Sequence, residues 1–237
     1  IIEKIKKISS VKWIVSCKGN WDLIISLETD SIENIDSLKN EVISFFGDHI
    51  NNKAISILVE AQTYNRDYLI ENKGAFTRSR IIMKKSKEQE IGDLYLAILK
   101  KLAENARKSI VDIATELKQT IRIINYRIKQ LEKKKIILGY KIAINYDKLG
   151  IKFFKTFIYL DNPHKERVNA LIGYLEQNKN VIHHVKVLGN WDLEPEFEVY
   201  SEEEFDNIMK NIKDKFSDII KGMDIITISK EHKFIYF

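Results

Sequence analysis

The chain has 237 residues, a formal net charge of +5, 44% hydrophobic residues, two prolines and nine glycines. This composition suits two or three small domains with apolar cores and excludes long disordered tracts. No apolar run reaches the roughly 18 residues that a bilayer span requires, no signal peptide is visible, and Cys17 is the single cysteine. We therefore expect a cytoplasmic protein with no disulfide and no membrane partner.

The charge is divided unevenly along the chain. Residues 73–150 contain 19 Lys and Arg against 8 Asp and Glu, whereas residues 1–72 and 151–237 each carry a net charge of −3. A basic block between acidic flanks is typical of a segment that binds a polyanion, although a solvated lysine-rich face has the same signature.

The two acidic flanks contain copies of one unit. Val11–Leu23 aligns with Val181–Leu193 at an offset of 170 residues, and both segments contain the sequence Gly-Asn-Trp-Asp-Leu. Polar and apolar positions continue to agree as far as Ile50 and Ile220. Such self-similarity indicates a duplicated structural unit.

The second copy has the pattern of a βαββαβ unit. Residue types and periodicity predict strands at 153–161, 181–188, 191–200 and 223–230, with helices at 165–178 and from Ser201 onward. Gly189-Asn190 predicts a tight turn that needs positive φ. The order predicts a ferredoxin-like α+β fold, an antiparallel sheet with both helices on one face. The first copy lacks the first strand of this unit, and we therefore expect that the natural gene product is longer.

The hairpin strand after this turn contains unusual residues. Pro195 cannot donate a ladder hydrogen bond, which predicts an edge position or a bulge. Glu194, Glu196 and Glu198 alternate, so their carboxylates share one face. That pattern is typical of an exposed strand face and is also compatible with a site for a cation or a basic ligand.

The basic segment has the pattern of a winged helix-turn-helix. Helices are predicted at 93–104, after a cap at Ser109, and after a cap at Thr120, with Lys118-Gln119 as the turn between the last two. A small hairpin at 136–145 would form the wing. In such a fold the third helix enters the major groove, where Arg, Asn and Tyr can contact base edges, and lysines neutralise phosphates. The predicted DNA-binding residues are Arg107, Lys108, Ser109, Lys118, Gln119, Thr120, Arg122, Ile123, Asn125, Tyr126, Arg127 and Lys129.

These residues resemble a known family. Asn105-Ala-Arg107, Asp112-Ile-Ala114, Arg127-Ile-Lys129 and Gly139-Tyr140 follow the winged-helix pattern of the Lrp/AsnC (leucine-responsive, feast/famine) transcriptional regulators. Gly-Asn-Trp-Asp-Leu is similar to the hairpin motif of that family's amino-acid-sensing domain, the ACT-like regulation-of-amino-acid-metabolism domain. Two features depart from the family: Lys135 stands where Gly is usual, and a second sensing copy precedes the winged helix.

The resemblance implies a fold, a set of partners and a site. Together with the internal repeat, it predicts a winged helix-turn-helix flanked by two ferredoxin-like domains: 1–71 incomplete, 72–92 a linker, 93–150 binding DNA, and 151–237 complete. The implied partners are double-stranded DNA, a small-molecule effector (an amino acid) and further copies of the chain, as a dimer or a higher homo-oligomer. The implied effector-binding residues are Gly19, Asn20, Trp21, Asp22, Gly189, Asn190, Trp191 and Asp192. Whether the two sensing copies pair within one chain or between chains is left open.

Two other functions are compatible with the sequence. Similar domains occur in siroheme decarboxylases, which gather histidines in a sheet pocket, and His183 and His184 lie on a predicted strand. Neighbouring strand residues point to opposite faces, so this pair cannot form one bidentate site. A ligand-sensing assembly protein that does not bind DNA is the second alternative. We predict no catalytic residues, no metal site and no cofactor, and we expect that the chain is not an enzyme.

Overall fold

The computed structural model describes residues 1–70, 78–84, 90–161 and 164–235. The chain forms two compact units. The sheet unit consists of Ile1–Lys84 and Ala143–Phe234, and the helical unit contains Lys85–Ile142. Both copies of the repeat therefore belong to one sheet unit. Among the described residues, no helix combines the length and the apolar character that crossing a membrane requires.

The second copy has the predicted ferredoxin-like fold. Its elements are β5 (Lys152–Leu160), α7 (Lys165–Gln177), β6 (Val181–Leu188), β7 (Leu193–Val199), α8 (Glu202–Lys215) and β8 (Ile220–Phe234). The capping box is confirmed, since the Ser201 hydroxyl accepts from the Glu204 N–H at 3.0 Å and the Glu204 carboxylate accepts from the Tyr200 N–H at 2.9 Å. Strand β8 is longer than predicted because it has two partners, β5 along its first half and residues 13–19 of the first copy along its second half.

The first copy does not form a sheet of its own. Its elements are α1 (Ile2–Ile5), β1 (Val11–Gly19), β2 (Leu23–Leu27), α2 (Glu33–Ser44) and β3 (Ile57–Tyr64), followed by β4 (Arg80–Lys84). These strands join the second copy in one eight-stranded sheet with the order β2-β1-β8-β5-β7-β6-β3-β4. The first copy is thus split, with β1 and β2 on one side of the second copy's four strands and β3 on the other.

The two junctions between the copies obey a pseudo-twofold relation. Cys17 pairs with Ile228 across the β1–β8 junction, and Leu58 pairs with Val187 across the β3–β6 junction. Adding 170 to the first-copy residue of either pair gives the second-copy residue of the other pair. Ser16–Lys230 and Glu60–Lys186 are related in the same way. The copies therefore exchange equivalent edges, as the two subunits of an isologous dimer do, but within one chain.

Each face of the sheet has its own apolar core. Helices α7 and α8 cover one face, where Leu171, Leu175 and Ile212 pack against Phe154 and Phe197. On the opposite face, residues from five strands form a second cluster that contains Val15, Ala61, Phe157, Val185 and Ile226. A smaller cluster, which includes Ile5, Val11, Ile14 and Val42, packs α1 and α2 on β1 and β2. Because strands of both copies build the second core, neither copy can complete it alone.

Two further predictions for this unit need correction. The expected linker at 72–92 lies partly outside the described residues, and its described part contains β4, which pairs with β3. Pro195 lies in a central strand rather than at an edge, but the alternative prediction of a bulge agrees with the β6–β7 pairing, whose register shifts between Val181 and His183, opposite Phe197 and Glu196. The described β5–β7 pairs pass from Lys155–Glu196 directly to Ile158–Leu193, so the ladder is interrupted opposite the proline, which has no N–H to donate.

The helical unit contains three of the predicted elements but no strands for the wing. Helices α3 (Asp93–Glu104), α4 (Ile110–Glu116) and α5 (Ile121–Lys133) enclose a core around Ile98, Ile113 and Ile124. Residues 136–145 have no strand assignment, so the predicted hairpin is wrong. A short two-stranded hairpin with no third strand is marginal in stability, and the Tyr140 hydroxyl instead donates to Glu132 of α5 at 3.0 Å.

The last residues of the predicted DNA-binding domain belong to the sheet unit. Helix α6 (Tyr146–Leu149), expected to belong to residues 93–150, lies in the sheet unit. There Tyr146 stacks on Phe153 at 5.1 Å and donates its hydroxyl to Glu198 at 2.8 Å. These contacts hold α6 against β5 and β7.

Candidate DNA-binding surface and effector cleft

Both helices of the helix-turn-helix begin with the predicted caps. The Ser109 hydroxyl accepts from the Asp112 N–H at 3.0 Å, and the Thr120 hydroxyl accepts from the Ile123 N–H at 3.3 Å. Each cap satisfies one of the N–H groups that the first turn of a helix leaves open. The remaining first-turn N–H groups and the helix dipole favour an anion at these two ends.

The outward stripe of α5 carries polar and aromatic side chains. Ile124 and Leu131 are buried in the helical core, so residues on the opposite side of the helix face solvent. Arg122, Tyr126 and Lys129 follow one another at i, i+4 and i+7 and are all exposed, with Tyr126 61% exposed. Ile123 lies beside them and is 38% exposed. Of the other predicted residues, Arg107, Ser109, Lys118, Gln119 and Thr120 are exposed and Asn125 is half-buried.

Two of the predicted DNA-binding cations already have protein partners. The Arg127 guanidinium lies 4.5 Å from the ring centre of Tyr95 on α3 and is half-buried. Lys108 forms an ion pair with Glu116. Neither contact was predictable from helical periodicity, because Tyr95 lies on α3 and Glu116 lies at the end of α4.

Two lysines close the ends of α4 and α5 in the left-handed region. Lys118 has φ 52° and Lys135 has φ 57°. Next to them, the Gln119 N–H donates to Ala114 at 2.8 Å and the Ile136 N–H donates to Leu131 at 2.9 Å, which is the Schellman arrangement. Glycine is the usual residue at such a position because it adopts positive φ without strain, and Lys135 has this conformation although it is not glycine.

The two Gly-Asn-Trp-Asp motifs lie in hairpin loops that approach each other. The Trp21 and Trp191 ring centres are 6.0 Å apart. Gly19 has φ +128°, and a side chain there would meet the Ile225 carbonyl at 2.7 Å. Gly189 lies 170 residues on and does not have positive φ, so that prediction is wrong. It is instead required by close packing, since a side chain would meet the Ile55 carbonyl at 2.8 Å.

An open cleft of about 730 Å³ lies between these loops, in the size range of small-molecule sites. The residues that line it are Asn20, Trp21, Asn52, Tyr159, Asn190 and Asp224. Asp224 accepts from the Asn20 amide at 2.9 Å and from the Tyr159 hydroxyl at 2.7 Å. Burial, followed by the bond to Asp224, raises the pKa of Tyr159 to about 12. Asn52, Tyr159 and Asp224 were not predicted from the sequence, because only the pairing of the two copies brings them to the motifs.

The remaining motif residues have structural roles. The Asp192 carboxylate accepts from the Leu160 N–H at 2.8 Å, and the buried Trp191 donates its indole N–H to Glu194 at 2.7 Å. The equivalent residue Trp21 has a buried indole N–H without an acceptor among the described residues. Asp22, Gly19 and Gly189 are exposed and are not among the residues that line the cleft.

The row of glutamates on β7 is buried, which corrects the prediction of an exposed face. Lys155 is 2% exposed and lies 2.7 Å from Glu194 and 3.0 Å from Glu196. Burial opposes its charged form, but the two carboxylates outweigh that effect and raise the pKa of Lys155 above its ordinary value. Glu198 forms a bidentate pair with Arg66 and accepts from Tyr68 and Tyr146. The cation expected at this face is therefore supplied by the protein itself.

The two histidines considered for a metal or enzyme site point to different partners. His183 bonds to Thr63 at 2.9 Å, and His184 bonds to Tyr64 at 2.9 Å. Burial lowers the pKa of His184 to about 4. Within the described ranges, no group of three or more His, Cys, Asp or Glu is arranged to hold a metal ion.

Comparisons with known proteins were made for both sequence and fold. No protein-family model matches the sequence. An uncharacterized HTH-type transcriptional regulator of Pyrococcus furiosus is 29% identical over 123 residues, which are 52% of this chain and 82% of that protein.

Solved structures share the fold at low sequence identity. An AsnC family transcriptional regulator from Agrobacterium tumefaciens has 16% identity and a TM-score of 0.55, covering 62% of this chain and 95% of that chain. A transcriptional regulator from Neisseria meningitidis in complex with L-Met has 15% identity and a TM-score of 0.56, with the same coverage. Escherichia coli AsnC has 19% identity and a TM-score of 0.50, covering 60% and 94%.

These comparisons confirm the predicted resemblance to the Lrp/AsnC regulators. The chain has the fold of these proteins over about three fifths of its length, and its curated relative is an HTH-type transcriptional regulator. The relatives are regulators rather than enzymes, in agreement with the prediction that this chain is not an enzyme.

Proposed function

We propose that the chain is a sequence-specific DNA-binding transcriptional regulator whose DNA binding or assembly responds to an amino acid. The observation that carries this proposal is the outward stripe of α5, where Arg122, Tyr126 and Lys129 are exposed side by side on a helix that begins at a capped turn. A helix of this kind fits the major groove, as the second helix of a helix-turn-helix does.

The residues of this surface divide into two roles. Arg122, Asn125 and Tyr126 carry hydrogen-bonding groups that can reach base edges, and Ile123 can contact a thymine methyl group. Arg107 and Lys118 lie near the helix ends, where they and the first-turn N–H groups of α4 and α5 would hold phosphates. Arg127 contributes less to binding than the sequence pattern predicts, because its guanidinium stacks on Tyr95.

A salt titration of the full chain on duplex DNA tests this surface. If the exposed cations Arg107, Lys118 and Lys129 each neutralise a phosphate, the logarithm of the binding constant should fall with the logarithm of salt at a slope of about −3 per chain. Fluorescence anisotropy of a labelled duplex, recorded at salt concentrations from about 50 to about 300 mM, measures this slope. A flat response would contradict the proposal.

Paired arginine variants separate base contact from stability. Arg122→Ala should weaken binding to a selected operator by about 1–3 kcal/mol, because it removes an exposed donor from the outward stripe. Arg127→Ala should change affinity less and lower the thermal stability instead. Arg167→Ala is the matched control, since Arg167 pairs with Asp218 in the sheet unit at a distance from α5 in sequence. Wild-type affinity in Arg122→Ala would remove α5 from the interface.

The amino-acid response is proposed from the two hairpin loops. Their residues meet at a cleft with amide, carboxylate and aromatic groups, and the Neisseria regulator of the same fold binds L-Met. Selection of bound genomic fragments with and without a pool of amino acids tests operator and effector together. Size-exclusion chromatography in the same conditions reports the homo-oligomer. Fragment enrichment and oligomer size that are both unchanged by the pool would contradict the effector response.

A further inference from the structure

The start of α5 exposes two large apolar side chains. Ile121 and Ile123 are the first and third residues of the helix and are 53% and 38% exposed. Ile124 and Ile128 of the same helix pack in the helical core instead. A single exposed isoleucine is ordinary on a protein surface, and isoleucine is not among the best helix formers. Two of them in one turn, separated only by the exposed Arg122, are therefore explained neither by the core nor by helix propensity.

The same turn lacks the acidic residue that the two preceding helices have. Helix α3 begins with Asp93 and α4 has Asp112 in its first turn, whereas the first turn of α5 contains no acidic residue. A carboxylate in a first turn stabilises the helix through its dipole, and it would repel a phosphate at that end. Without one, the start of α5 is open to a polyanion.

The surroundings of the two isoleucines favour DNA over an apolar protein surface. Lys118, Arg122 and Lys129 are exposed in the turn before α5 and on the helix itself. Residues 85–142 contain 14 Lys and Arg against 7 Asp and Glu. Lysine is depleted in protein–protein interfaces, whereas the major groove of DNA presents the C5-methyl group of thymine as an apolar contact close to the phosphates. An apolar pair within a basic surface matches that groove.

We propose that Ile121 and Ile123 each contact the methyl group of a thymine in the major groove and thereby select thymine at two positions of the operator. The inference rests on the proposed DNA binding and names the base that the start of α5 reads. Ile121 was not predicted to contact DNA, because its spacing of three and seven residues from Ile124 and Ile128 places it on the apolar stripe of the helix. In the structure it is more than half exposed and is available to a ligand.

Replacing single thymines by deoxyuridine tests the proposal, because deoxyuridine lacks the methyl group and keeps the base pair. The probe is a duplex selected from random sequence with the full chain, and competition with the labelled parent duplex measures each affinity. Burial of one methyl group corresponds to about a fourfold change in affinity. We therefore expect about fourfold weaker binding at two positions and no measurable change at the other thymines. A series in which no thymine is sensitive would overturn the proposal.

Alanine variants assign each methyl group to its isoleucine. Ile121→Ala should remove the discrimination between thymine and deoxyuridine at one position and Ile123→Ala at the other, with the salt slope unchanged. Ile32→Ala is the matched control, since Ile32 is 75% exposed in the sheet unit, and it should keep both discriminations. If Ile121→Ala does not fold, Ile121→Val serves in its place and should reduce the discrimination. Discrimination that persists at both positions in both alanine variants would overturn the proposal.

The two proposals fail in distinguishable ways. Salt-dependent DNA binding with equal affinity for thymine and deoxyuridine duplexes would overturn thymine reading and leave the DNA-binding regulator standing. Absence of binding to any duplex would overturn both. Self-association of the full chain that is lost when Ile121 and Ile123 are both replaced by Ala, with unchanged DNA affinity, would assign the pair to a protein contact and overturn thymine reading alone.

Discussion

The buried ammonium of Lys155 provides a sharp test of how the sheet unit is stabilised. Lys155 lies between Glu194 and Glu196 at 2.7 and 3.0 Å and is nearly inaccessible to water. Lys155→Met keeps most of the side-chain volume and leaves two buried carboxylates without their cation. Removing one partner from a buried pair typically lowers the free energy of unfolding by about 3–5 kcal/mol. That is a large share of the roughly 5–15 kcal/mol available to a domain.

A neutral triple variant separates the lost charge from the lost packing. Replacing Glu194 and Glu196 by Gln together with Lys155→Met removes all three charges, so the free energy of unfolding should return to within about 1–2 kcal/mol of wild type. Lysine itself contributes over a defined range of pH. Since its folded pKa is raised, its stabilisation is complete below the unfolded value of about 10.4 and is lost only as the pH rises further.

Urea unfolding followed by tryptophan fluorescence is the appropriate assay. Trp13, Trp21 and Trp191 are the three tryptophans of the chain, and all lie in the sheet unit, so the signal reports on that unit alone. The expected loss for Lys155→Met is about 3–5 kcal/mol. If its free energy of unfolding at pH 7 lies within about 1 kcal/mol of the wild-type value, Lys155 does not stabilise the sheet unit in the way described.

Two further predictions concern backbone strain and pH. Replacing Lys118 or Lys135 by Gly should raise the free energy of unfolding by about 1 kcal/mol relative to the matched Ala variant, because both residues have left-handed φ. Urea unfolding monitored by circular dichroism at 222 nm measures this difference. Equal stability of the Gly and Ala variants would show that the turns do not require that conformation. His184 is buried in its neutral form, with a folded pKa of about 4. The unfolded chain therefore binds more protons than the folded chain between pH 6.5 and 4. As the pH falls through that range, the free energy of unfolding of the sheet unit should decrease by up to about 3 kcal/mol. His184→Gln should flatten this dependence and His49→Gln, at an exposed position, should not; identical pH profiles for the two variants would contradict the assignment.

Local features of the chain were predictable because they depend on neighbours in sequence. The caps at Ser109, Thr120 and Ser201 need only a hydroxyl and an N–H three residues later. The helices of the basic segment and the elements of the second copy follow from periodicity, which local side-chain geometry imposes. The repeat at an offset of 170 residues also required nothing beyond comparison of the sequence with itself.

The arrangement of the copies was decided by tertiary structure alone. Strand edges carry no sequence code for their partner, so the same pattern allows pairing within a chain or between chains. The structure pairs β1 with β8 and β3 with β6, and this exchange brings Trp21 to Trp191 and places Asp224 in the cleft between the hairpin loops. It also buries the β7 glutamates, since the face that carries them meets Lys155 and Arg66 rather than water. The sequence by itself determined the units and their duplication, but long-range strand pairing determined which residues meet to form a site.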